Sequence, residues 1–270
     1  MLPWHRPRSK CPPGLVHHVV WLHRGPEGRG RWRVEDGRAR EVTASIDKAA
    51  QDEGVPVAVR HVCIACAERM RAVGVVQYVV SDLGQGEPVY ATDLAAEQIA
   101  ELQVTLGEGP AVDALAEERP MLAVDLTEPS RWPTFAQAAV EAGVRAVFAF
   151  PLQMGSIAVG VLEVYRAMSG DLTTVEYRDA LLYSDAAMAL LLEHIDDEPS
   201  AREVGLFAGG FGNRWDVVHQ ATGVISVQLR SGLSEAFLRL RGHAFFTGRG
   251  LADVAEDVIE GRLRFDRDDA

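Results

Sequence analysis

The chain has 270 residues, of which 47% are apolar and 24% charged, and it carries a net charge of −12. These values describe a globular protein with one large domain or two modest ones. No stretch of about 18 apolar residues occurs, which excludes a membrane-spanning helix, and the short run "LVHHVVWLH" is broken by His17 and His18 with no small-residue cleavage site behind it.

Three cysteines (Cys11, Cys63, Cys66) form no disulfide framework, so a cytoplasmic protein with reduced thiols is expected. Charge is unevenly spread. Residues 1–42 hold nine Lys/Arg against four Asp/Glu, whereas 43–200 hold nine against 25 and 201–270 hold nine against ten. An acidic middle part repels nucleic acid, because phosphate contacts come from Lys and Arg. A nucleic-acid role therefore falls near the C-terminus, where 212–250 carries five arginines against Asp216 and Glu235.

In chain order, residues 1–42 are rich in Arg, Pro and Gly and show no hydrophobic period, so a disordered basic tail is expected. From 43 to 199 the pattern alternates between helix and strand. "SIDKAAQDEGVPVAVRHVCIACAERM" reads as a helix with a break at Gly54–Pro56. "GVVQYVVS" and "VYATD" read as strands, and "GEGPAVDALAEERP" as a helix opened by Gly–Pro. "MLAVDL" is a third strand, and "TFAQAAVEAG" a helix with Gly143 at its C-terminal end. "VRAVFAFPLQMGSIAVGVLEVYRA" is a hairpin turning at Met154–Ser156, and "TTVEYRDALLYSDAAMALLLEHI" a long amphipathic helix. The fold class is α+β, one central sheet with helices packed on it.

A Gly-rich linker at 200–212 leads into an all-α segment, 213–265. Trp215, Val218, Thr222, Ile225 and Leu229 mark a first helix. Ser234 is placed to cap a second, with Phe237, Leu238, Leu240, Ala244 and Phe245 as its apolar positions. Leu251, Val254, Ala255, Val258 and Ile259 mark a third, giving a compact three-helix bundle.

The chemistry that these residues allow is limited. Cys63 and Cys66 have a C-x-x-C spacing, but no second pair exists to complete a tetrahedral metal site, and core packing is favoured over a redox couple. No G-x-S-x-G, H-E-x-x-H or P-loop occurs, and no nucleophile–base–acid set can be assembled, so the chain is expected not to be an enzyme. "GEGP" suits a helix start better than a phosphate cradle. Phe148, Phe150, Met154 and Tyr165 are the residues that would wall a ligand pocket in the sheet domain, or else fill its core.

Two stretches carry resemblances. "LGEGPAVDALAEERPMLAVDLTEPSRWPTFAQAAVEAGVRAVFAFPL" with "VGVLEVYR" resembles a GAF domain of the actinobacterial type, over about residues 44–196. "ATGVISVQL", "GLSEAFLRLRGHAF" and "RGLADVAEDVI" are similar to the ANTAR domain, over about 209–265. Together they imply a GAF–ANTAR regulator, a sensor joined to a dimeric module that binds paired RNA hairpins in a nascent transcript and prevents transcription termination. The partners implied are dual-hairpin RNA, a second copy of the chain and a small ligand or signal at the GAF domain. No cofactor is implied. Ala221 and Gly223 match the module's A-K-G element, Ser234–Ala236 the start of its second helix, Leu240, Arg241 and Ala244 its L-R…A pattern, and Leu251, Val254 and Ala255 its third helix. Thr222 stands where the module carries lysine, which removes one phosphate contact. Arg214, Thr222, Arg241, His243 and Arg249 are the expected RNA-binding positions, since loop bases are read by arginine, aromatic and polar side chains. The alternative is a non-enzymatic ligand or redox sensor whose bundle serves dimerisation or protein docking.

Overall fold

A computed structural model describes residues 37–81, 83–129, 131–155, 157–195 and 211–266. The expectations for residues 1–36 and for 200–210 lie outside this range. Five strands form one antiparallel sheet in the order β2-β1-β5-β4-β3: β1 (Gly74–Val80), β2 (Gly86–Ala91), β3 (Met121–Ala123), β4 (Ala146–Met154) and β5 (Ile157–Arg166). The β4–β5 hairpin turns at Gly155, where φ is +67°, a left-handed conformation that glycine adopts without strain. Its Phe148 pairs with Val164 and its Phe150 with Leu162, so the apolar run of each strand faces the other in register.

Alternation along the strands divides the core into two layers. On one side Phe148, Phe150, Leu162 and Val164 meet α1 (Gly37–Glu53), α2 (Val59–Met70) and α6 (Thr174–Ile195). On the other, Val76, Val147, Val161 and Tyr165 meet α3 (Leu94–Leu106), α4 (Pro110–Glu117) and α5 (Pro133–Glu141). The first layer is tied by Asp179 on α6, whose carboxylate takes Arg38 of α1 at 3.0 Å and Arg69 of α2 at 2.8 Å while staying 1% exposed. That pairing, with buried Val42 and Ile46, draws α1 six residues into the stretch expected to be a disordered tail. The break at Gly54–Pro56 is present between α1 and α2.

Between 107 and 110 each residue has a local task. Gly107 (φ +67°) closes α3, Glu108 accepts the Thr134 and Phe135 amides at 3.0 Å each at the start of α5, and Pro110 opens α4 behind Gly109 (φ +146°). "GEGP" is thus a junction of three helix ends.

The C-terminal helices α7 (Phe211–Leu229), α8 (Leu233–Thr247) and α9 (Leu251–Ile259) pack on one another through Val218, Ala221, Ile225, Leu240, Ala244, Val254 and Val258. Three details differ from expectation. Gly232, not Ser234, is the N-cap of α8, and Ser234 lies inside its first turn, exposed. Leu238 and Phe245 are 57% and 59% exposed, because the buried set 237, 240, 244 leaves positions 238 and 245 rotated off the seam. The helix α3, capped by Asp93 through the Ala95 and Ala96 amides, was not marked by the periodicity of the sequence.

One close approach sets a limit on the sheet. A Cβ on Gly160 of β5 would lie 2.3 Å from the Tyr78 carbonyl oxygen on β1. Gly160→Ala is expected to lower stability by about 1–3 kcal/mol, the usual cost of overpacking, with the loss read in a denaturant melt. An unchanged midpoint would disprove that close approach.

Candidate functional site

The α3 side of the sheet holds a buried polar cluster in an otherwise apolar layer. Glu163 of β5 is fully buried, and its Oε2 accepts from Tyr165 Oη at 2.7 Å, Gln103 Nε2 at 2.7 Å and Tyr78 Oη at 2.9 Å. Gln103, on α3, is held in turn by the Ala111 amide, which donates to its Oε1 at 3.0 Å. Among the described residues Glu163 Oε1 has no hydrogen-bond partner. Burial pushes the Glu163 carboxyl up to about 7, against the three hydrogen bonds, which favour its ionised form. The same burial, with the Glu163 charge beside them, raises the Tyr78 and Tyr165 hydroxyls far above their ordinary range.

The opposite face of α3 receives the bundle. Glu101 Oε2 takes Arg214 Nη2 of α7 at 3.1 Å, and Glu101 Oε1 accepts the Ala252 amide in the first turn of α9 at 3.2 Å. Arg241 of α8 donates from Nε to the Thr105 carbonyl at 3.3 Å, and its guanidinium lies over the Phe237 ring, 5.8 Å from the centroid. A Cβ on Gly107 would meet Arg241 Nη2 at 1.9 Å, so glycine is what admits the guanidinium. Burial of this cation lowers its pKa. At the sheet edge, His219 of α7 meets Glu87 of β2 at 2.9 Å. The apolar cores of the second layer and of the bundle join into one cluster across this contact.

Of the residues expected to contact RNA, most are held by the protein itself. Arg214 and Arg241 are engaged by α3. Thr222 is 2% exposed and its hydroxyl donates to the Val218 carbonyl at 2.7 Å, an ordinary use of threonine in a helix. Arg249 pairs with Asp257 at 2.6 Å, and His243 meets the Phe265 ring edge-on with centroids 5.5 Å apart. These five therefore form no single exposed face. Arg230, Arg239 and Arg241 are the arginines of α7–α8 and their junction that have no acidic partner among the described residues, and of these Arg241 bonds the Thr105 carbonyl.

The four residues expected to wall a pocket are not brought together either. Phe148 and Phe150 lie in the α2/α6 layer, Tyr165 in the α3/α4 layer, and Met154 is 50% exposed at the hairpin end. Strand parity separates them, since residues facing one way cannot share a site with those facing the other. Cys63 and Cys66 are fully buried among Val59, Val62 and Met70, and burial pushes both thiols up, so both pack as small apolar groups. Among the described residues no group of three or more His, Cys, Asp or Glu is arranged to hold a metal.

Two outcomes are expected. An unfolded chain ionises Glu163 near 4.5, whereas the folded one holds the proton to about 7. Its contribution is therefore fully present below about pH 4.5 and is lost as pH rises through 7, by up to about 3 kcal/mol. Denaturant melts at pH 5 and pH 8 should show that loss in the native chain and not in Glu163→Gln; equal losses would sink the assignment. In the second, Glu101→Ala removes the acceptor of the Ala252 amide. Hydrogen exchange at residues 251–253 should then quicken about tenfold, the scale of one lost hydrogen bond. Unchanged exchange would refute the contact.

No protein-family model matches the sequence, and no curated protein matches it. Among solved structures it is similar to the GAF domain of a phosphoenolpyruvate-protein phosphotransferase from Coxiella burnetii (15% identity, TM-score 0.45, covering 58% of this chain and 96% of that one). It is also similar to the corresponding Acinetobacter GAF domain (12%, 0.44, 58% and 92%). A third similarity is to a GAF domain/HD domain protein from Geobacter sulfurreducens (15%, 0.40, 57% and 97%).

Proposed function

We propose that the chain is a signal-responsive regulator of transcription, a GAF-type sensor joined to an ANTAR-type bundle that binds paired RNA hairpins and prevents termination. In this reading the protein works in the cytoplasm as a homodimer, senses a small ligand or signal at the sheet domain, and catalyses no reaction. The observation that carries it is α3, one helix in contact with both units. Gln103 on this helix bonds the buried Glu163, and Glu101 and Thr105, each two residues away, bond Arg214 and Arg241. A change of charge or occupancy around Glu163 shifts α3 and with it the seat of the bundle, which is a population shift between docked and released forms.

The motif positions of the resemblance have structural tasks: Ala221, Leu240, Ala244, Leu251, Val254 and Ala255 are all buried in the bundle seam. They support the module's fold, and the RNA contacts fall to what the seam leaves outside. One observation favours a second reading, in which the bundle serves only protein docking: Arg214 and Arg241 already hold α3.

Purified full-length protein is expected to bind a tandem-hairpin RNA with an affinity that falls about tenfold or more between 50 and 200 mM salt, as a few phosphate contacts require. Absence of binding to a library of tandem hairpins at 50 mM salt would overturn the RNA reading and leave protein docking.

A further inference from the structure

The outward face of α8 carries side chains that neither the bundle seam nor the α3 contact uses. Phe246 is 88% exposed and Phe245 59%, beside Leu238 at 57%. Gly242 lies at their centre, three and four residues from the two rings and four from Leu238, so all border it on the helix surface. A Cβ on Gly242 would meet nothing within 4 Å, which leaves the space between the rings open to a flat group. Arg239, three residues before Gly242, completes the rim and has no acidic partner among the described residues. The carboxylate that shares this face, Glu235, lies eleven residues before Phe246, about 16 Å along the axis, and four before Arg239, with which it forms no ion pair among the described residues.

We propose that Phe245 and Phe246, with Gly242 between them and Arg239 beside them, form a stacking platform for the unpaired bases of an RNA loop. The inference rests on the RNA-binding reading above and names the surface and the chemistry that this reading lacked. Exposed rings are apolar on their faces and gain from stacking on bases of any identity, while a neighbouring guanidinium meets phosphate or stacks in turn. Duplex stems offer no such unstacked face, so loops are the part of a hairpin that the platform takes. The acidic sheet domain, with nine Lys/Arg against 25 Asp/Glu over 43–200, repels RNA elsewhere and biases approach towards this face. A second copy of the chain suits the patch less well, because a two-fold contact centred on it sets Arg239 against its own copy. The platform lies outside the contacts by which Arg214 and Arg241 hold α3.

The test uses the full chain with a pool of RNA hairpins of fixed stem and randomised loop, some carrying 5-iodouridine in the loop, and the same stem as a blunt duplex. Phe246→Ala and Phe245→Ala remove exposed rings, and Phe246→Trp keeps an aromatic surface. Loss of about tenfold in loop-hairpin affinity is expected for each alanine variant, with affinity kept in Phe246→Trp. Duplex binding should be unchanged, and photocrosslinks of the loop should map to 245 or 246. If the native chain binds hairpins and the alanine variants bind them equally, the platform is overturned while the RNA reading stands. If the native chain binds no hairpin, the RNA reading falls and the platform with it. Loss of self-association in sedimentation by the alanine variants, without loss of hairpin affinity, would reassign the patch to a contact between copies and also overturn it.

Discussion

The position of α3 decides how this molecule is put together. It lies on the sheet by an amide side chain and under the bundle by a carboxylate and a carbonyl. Gln103 points into the sheet layer and is fixed there by Glu163 and the Ala111 amide, while Glu101 and Thr105 point outward to Arg214, Ala252 and Arg241. The Arg214–Glu101 pair is partly exposed and contributes little by itself, but the other contacts are not of that kind. The inner set is dry, and the outer guanidinium of Arg241 is half-buried between a backbone carbonyl and an aromatic ring. Removing one partner of such a contact costs more than making it gains, because the group left behind is desolvated and unpaired.

The buried carboxylate is the costly part of this arrangement. An ionised Glu163 has three donors on one oxygen and, among the described residues, none on the other, in a layer that is otherwise aliphatic and aromatic. A core built for stability alone would place an apolar residue there. One member of the cluster, Gln103, sits on α3, which with β2 touches the bundle, and this gives the sheet domain a polar handle on its neighbour. Under the proposed function, an input that neutralised, displaced or completed the bonding of Glu163 would act first on Gln103, and through it on the helix.

Much of the architecture was legible. The β4–β5 hairpin, the long α6 and the three amphipathic helices of the bundle follow from period and turn residues alone. The α3 helix did not, because its buried positions 96, 99, 100, 103 and 104 are filled by two alanines, Ile99, Val104 and the polar Gln103, a weak apolar stripe; its Asp93 cap and Gly107 terminus were the available signals. The polar cluster was also missed, since Tyr78, Gln103 and Glu163 come from three separate elements. A lone glutamate in the apolar strand "VGVLEVYR" was its trace in the sequence. The pocket set failed on parity: Phe148 and Phe150 share one face of the hairpin with Leu162 and Val164, and Tyr165 must then point the other way. The arginines were read by type, but their burial depends on where α3 lies, which no local pattern contains.

The seat of α7 against β2 has one more effect. β2 is an outermost strand of the sheet, and the β1–β2 ladder shifts register between Gln77 and Tyr78, with Pro88 removing a donor. Such irregularities blunt an open rim but do not close it. The bundle covers part of that rim, with His219 pinned to Glu87. A displaced bundle would therefore uncover main-chain groups able to recruit a foreign strand. Under the proposed switch, a signal that freed the bundle would also make the molecule stickier while it is open.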